Sequence, residues 1–192
     1  MKKWTVVLAA IVLAILSIFL GTRLERLKWE KKNASDQVQI EKATQSIKAT
    51  VERTTYMFVF AKTMTSMHMQ AQLSMFVCTM ISNTWNSAQR NIFANERDKV
   101  TKLTSDLARR GFYRMLEDNN TQISADLAKL QNPPDDFKDA YNSLLDMNGY
   151  GLQLYGMAKS PGGTIEVYSN NVSSKFNEVI TAYNKIVRLL PR

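Results

Sequence analysis

From Thr22 to Arg110 the chain runs through 89 consecutive residues without a glycine or a proline. These two residue types are the strong backbone punctuators, so tight hairpin turns have nothing to form on across almost half of the 192 residues. A sheet of short strands is excluded there, and helix is what remains. Apolar residues recur at helical spacing, first Ile40, Ile47, Val51 and Phe58, then Leu73, Phe76, Val77, Met80, Ile81 and Trp85. This predicts one long helix, or two with an unmarked joint near Asn83–Asn95. Asn83, Asn86, Asn91 and Asn95 cluster there, and asparagine tolerates the conformations that end and cap helices.

Beyond that joint the punctuation returns. A helix is predicted from Asn95, with Glu96 and Asp98 favourable in its first turn. Val100, Leu103 and Leu107 make its stripe, continued by Leu116, Ile123, Leu127 and Leu130, with a kink or a short turn at Arg109-Arg110-Gly111. The run Asn132-Pro133-Pro134-Asp135-Asp136 stops one helix and starts the next, a proline taking the first helical turn. Phe137, Tyr141, Leu144, Leu145, Leu152 and Tyr155 are then expected on one face up to about Ala158. Gly149, Gly151 and Gly156 within that stretch imply loose or close packing. Ser160-Pro161-Gly162-Gly163 is a turn, and the last helix repeats Ile165, Val172, Val179 and Ile186 every seven residues, closed by Pro191. Phe176, Tyr183 and Leu190 each follow four residues later. Short connections between long amphipathic helices give an all-α chain, an up-down bundle of about four long helices. The aromatic residues of the last two helices suit either a core or a small apolar pocket.

The formal charge of +8 invites a nucleic-acid reading until the charge is located. Residues 1–32 hold seven basic against two acidic side chains, and the other 160 hold 18 against 15. A nucleic-acid binder concentrates the excess on its folded domain. Here the excess flanks an apolar run, Trp4 to Leu20, uncharged between Lys3 and Arg23. As a helix, Trp4–Thr22 would rise about 28 Å, close to a bilayer core of ~30 Å. We therefore expect residues 1–22 to be a transmembrane signal-anchor in membrane lipid through residues 4–22. A basic juxtamembrane stalk follows over 23–35, and the bundle occupies 36–192. The rival is a cleaved secretory signal, for which Phe19-Leu20-Gly21 offers poor cleavage chemistry, with Phe at the −3 position. Counting positive charges would keep the bundle in the cytoplasm, whereas the short Lys-Lys leader is an export-type start. The reading adopted is a single-pass membrane protein with its bundle on the extracytoplasmic side.

One stretch stands out chemically. Met57–Met80 contains a large share of the methionines, and Met64, Met67, His68, Met75 and Cys78 fall near one another by helical increments. Thioether, imidazole and thiolate are soft ligands that suit Cu(I). The plainer reading is a packed helix face, since methionine fills irregular interfaces well and a lone His or Cys there is normally just buried. His68 is the only histidine, so two-histidine metal motifs are excluded. Ten residues, about 15 Å of helix, separate it from Cys78, too far for a base–nucleophile pair. The pairs Glu117-Asp118 and Asp135-Asp136 sit at expected helix ends, where capping explains them. No phosphate-loop pattern occurs, and no catalytic set of nucleophile, base and orienter can be named.

The run from Pro133-Pro134-Asp135-Asp136-Phe137 through Tyr141, Leu144-Leu145, Tyr155, the Ser160–Gly163 turn, Tyr168, Phe176 and Leu189-Leu190-Pro191 resembles bacterial membrane-anchored envelope proteins with a small all-helical domain. The resemblance covers about a third of the chain and implies fold and placement, with no activity or site to transfer. This chain departs from the lipid-anchored members in lacking a cysteine after the apolar run. The expected function is protein–protein interaction or self-association at the cell envelope, with no catalysis and no nucleic-acid partner. The alternatives are Cu(I) binding through the Met/His-rich helix and a ligand-binding sensory bundle.

Overall fold

The computed structural model describes residues 2–89 and 95–190, with side chains at 32, 35–89 and 95–190. Among these residues the chain is all-helical, with no strand: α1 spans Lys2–Gln89, α2 Glu96–Arg109, α3 Phe112–Lys129, α4 Lys138–Lys159 and α5 Ile165–Leu189. A short 3-10 turn, Asp135–Phe137, leads into α4. The predicted anchor and most of the basic stalk lie outside the residues with described side chains, as does Pro191. Among the described residues no helix is long and apolar enough to cross a membrane.

The chain divides into two compact units, Met1–Glu52 and Arg53–Arg192. The second unit begins at Arg53, within the stretch 36–192 expected to form the bundle. In the first unit the described side chains from Ser35 to Glu52 are all exposed, Ile40, Ile47 and Val51 among them.

In the second unit four helical layers run up and down, and pairwise contacts fix their directions. Along α1 and α3, Tyr56 meets Leu130, Lys62 meets Asp126, and Phe76 meets Phe112, so the two are antiparallel. Between α4 and α5, Met157 meets Tyr168 and Tyr150 meets Lys175, also antiparallel. α5 in turn runs against α1, with His68 on Tyr183 and Ser82 on Ser169. Phe60 on Phe137 and Cys78 at Leu154 show α1 and α4 running the same way.

Local chemistry explains the breaks. Asn95 caps α2 by accepting from the Arg97 N–H at 3.1 Å, and Thr164 caps α5 by accepting from the Val167 N–H at 3.3 Å. Gly111 separates α2 from α3 in the left-handed region at φ 81°, where a side chain would be strained. At the double proline, neither ring lies inside a helix: Pro134 stands just before the 3-10 turn, and Asp135 and Asp136 occupy its first turn. The last carbonyls of α4 have no partner within the helix. Two of them are satisfied from outside, by the hydroxyls of Tyr168 on Met157 and Tyr113 on Ala158, at 3.2 and 3.1 Å.

The α4 stripe differs from expectation. Leu145 and Leu152 are 42% and 41% exposed, and the buried face is Ala140, Ser143, Leu144, Met147, Gly151, Leu154 and Ala158. Tracing large apolar residues missed it because four of these seven residues are small. Gly151 is not forced by close approach, however. A methyl group placed there, or at Gly149 or Gly156, meets nothing within 4 Å.

Candidate functional site

The buried stripe of α1 in the bundle is three seven-residue rows, Phe60-Met67-Ser74-Ile81-Ala88, Met64-Ala71-Cys78 and Thr63-Gln70-Val77, with half-buried Trp85 next in the second. This disposes the proposed soft ligands. Met64 and Met67 point into the core, and Met75 is half-buried. The His68 ring lies on Tyr183 of α5 at 4.7 Å between centroids, and its Nε2 accepts from Gln72 Nε2 at 2.9 Å. The other ring nitrogen, Nδ1, is buried without a partner. Cys78 is fully buried, its sulfur 3.9 Å from the Leu154 carbonyl of α4, and burial pushes the thiol up to about 11, against a smaller opposing effect of Tyr168. A thiol held protonated in this way is a poor nucleophile and a poor metal ligand.

Helical rise sets Met64 and Cys78 about 21 Å apart along α1, far more than one ion can bridge. The structure keeps Met64, Met67 and His68 within little more than one turn and does not bring Met75 and Cys78 to them. Among the described residues no group of three or more His, Cys, Asp or Glu is placed to hold a metal ion.

Sequence reasoning missed a polar clamp between α1 and α3. Asp126 is 1% exposed, yet Lys129 and Lys62 reach it at 2.7 and 2.9 Å and Gln122 donates at 2.9 Å. The Lys129 hydrogen bond, helped by Gln122 and Lys62, holds its carboxyl far below the usual carboxylate range although burial works the other way. Nearby, Gln70 donates to the Leu116 carbonyl at 3.1 Å and accepts from Asn119 at 2.9 Å. The signal was available: Asp126 follows Ile123 by three residues and precedes Leu130 by four, so it must face the core.

What α1 and α3 leave uncovered is apolar. Phe76 packs on Phe112 at 6.0 Å, and Asn119 reaches the Ser66 carbonyl at 3.2 Å. Met115 lies between Phe112 and Asn119 on the same edge of α3, beside the Met69–Phe76 stretch of α1. Phe76, Met69 and Met115 are 51%, 61% and 56% exposed. Methionine and phenylalanine give an adaptable surface that accommodates varied apolar partners. Two hollows are more polar. One of about 720 Å³ is lined by Trp85, Glu96, Arg97 and Lys159. The other, about 440 Å³ between α4 and α5, is an open groove carrying Asp146, Glu178 and Lys185.

Comparison with protein-family models, with curated proteins and with solved structures finds no match for this chain.

Proposed function

We propose that this chain is a membrane-tethered helical bundle that works by binding another protein at the cell envelope, without catalysis. The observation that carries the binding reading is the Met69, Phe76, Met115 surface with Phe112 behind it, apolar side chains left in water on adjoining stretches of two helices. The tether rests on the uncharged run Trp4–Thr22 between Lys3 and Arg23 and on the resemblance to anchored envelope proteins. Lys2 and Lys3 before the apolar run support an extracytoplasmic bundle, against the basic residues Arg23, Arg26, Lys28, Lys31 and Lys32 that follow it.

A photo-crosslinker replacing Phe76 in the full-length chain, irradiated in intact membranes, tests the binding reading. The expected result is a discrete cross-linked species lost on Met69→Glu and absent when the probe replaces exposed Glu166. No species from position 76 refutes it. Sequencing the mature N-terminus tests the tether, and a start downstream of Leu20 refutes it.

A further inference from the structure

The second uncovered face lies on the other unit, and its charges say what covers it. Over residues 36–52, Ile40, Thr44, Ile47 and Val51 alternate by four and three, the a/d rhythm of a coiled-coil seam. All four are exposed, Ile40 at 66%, Ile47 at 65% and Val51 at 58%. Flanking them, Glu41 and Lys48 occupy successive e positions, and Asp36 a g position. Deepening the reading of the chain as an interaction protein, and resting on it, we infer that this face binds a second copy of the same segment in the antiparallel direction.

Direction is decided by charge. In an antiparallel pair the layers are Ile40 with Val51 of the other copy and Thr44 with Ile47, each occurring twice about a two-fold axis. The e positions then face one another, so Glu41 meets Lys48 of the other copy on both sides. In a parallel pair g faces e, which sets Asp36 beside Glu41 of the other copy twice and leaves Lys48 opposite Ala43. One direction makes two ion pairs and the other two like-charge contacts. The intrahelical Lys48–Glu52 contact, 4.0 Å and exposed, is too weak to hold Lys48 back.

Four layers make a short interface, so association is expected only at high local concentration. In the antiparallel pair Thr22 of each copy lies about 35 Å from the two-fold, at opposite ends of the seam.

The test uses the full-length chain in detergent micelles, where no bilayer imposes an orientation. Copies carrying Ile40→Cys and copies carrying Val51→Cys are mixed under mild oxidation, with buried Cys78 unchanged. The expected product is the mixed 40–51 disulfide, with neither 40–40 nor 51–51. Same-position disulfides identify a parallel pair and overturn the inference, as does no disulfide up to millimolar concentration. Glu41→Lys or Lys48→Glu alone should weaken association roughly tenfold, and the two together should restore it; failure to restore also overturns it. A chain that stays monomeric yet still cross-links through position 76 removes the second copy and leaves the proposed function standing.

Discussion

Residues 36–52 and residues 60–88 belong to one helix and carry the same kind of apolar repeat, yet their fates are opposite. In the bundle Phe60, Ile81 and Cys78 are wholly buried, while Ile40, Ile47 and Val51 of the other unit are each more than half exposed. Phe58 continues the seven-residue row of Val51 and is 73% exposed, whereas Phe60, two residues on, opens the buried row. Periodicity therefore reports which face of a helix is apolar and says nothing about what covers it. The contrast is also energetic, since only the covered stripe contributes to the stability of a single copy.

Substitutions sharpen or break this contrast. The largest effect is expected in the aromatic cluster where Phe60 packs on Phe137 at 5.7 Å and Tyr56 on Phe137 at 5.2 Å. Phe137→Ala should cost about 4 kcal/mol, read as a shifted denaturation midpoint with unchanged slope. A loss below 1 kcal/mol would mean that the cluster is not core. Asp126→Asn should cost about 2 kcal/mol, because its donors lose a charged acceptor. The carboxyl titrates lower in the folded chain than its unfolded value near 3.9, so its contribution is complete above that pH and lost as pH falls below it. An acid denaturation series should show wild type losing its advantage over Asp126→Asn below about pH 4; a constant difference down to pH 2 would contradict the clamp.

Gly151→Ala should stabilise by about 1 kcal/mol, since the added methyl enters open space and alanine favours helix. Destabilisation would show that α4 is packed more closely there. Smallest of all, Ile47→Ala should change the stability of a dilute chain by less than about 0.5 kcal/mol, although the same truncation in the bundle costs several. A large loss at Ile47 would mean that the first unit is covered even in one copy.

The sequence made the bundle's breaks legible because each has a local cause. Asn95, Gly111 and the Ser160–Gly163 turn all end or start helices where expected, and the seven-residue row Ile165, Val172, Val179, Ile186 is buried throughout. The α4 face was not legible because packing there uses Ala140, Ser143, Gly151 and Ala158, whose lack of bulk carries no periodic signal. Nor was the point at which α1 becomes buried, because apolar residues recur at helical spacing through 40–58 while the first wholly buried one is Phe60. For Met64, Met67, His68, Met75 and Cys78 the sequence carried the helical spacing but not the neighbours that other helices supply, Tyr183 to His68 and Leu154 to Cys78.

The central claim is that one helix passes from an uncovered to a covered apolar face near Arg53. Amide hydrogen exchange on the full-length chain, dilute and in detergent, tests it most directly. Amides from 60–85 should exchange orders of magnitude more slowly than those from 36–52, with protection of 36–52 rising on concentration. Equal protection of both stretches at high dilution would contradict the account.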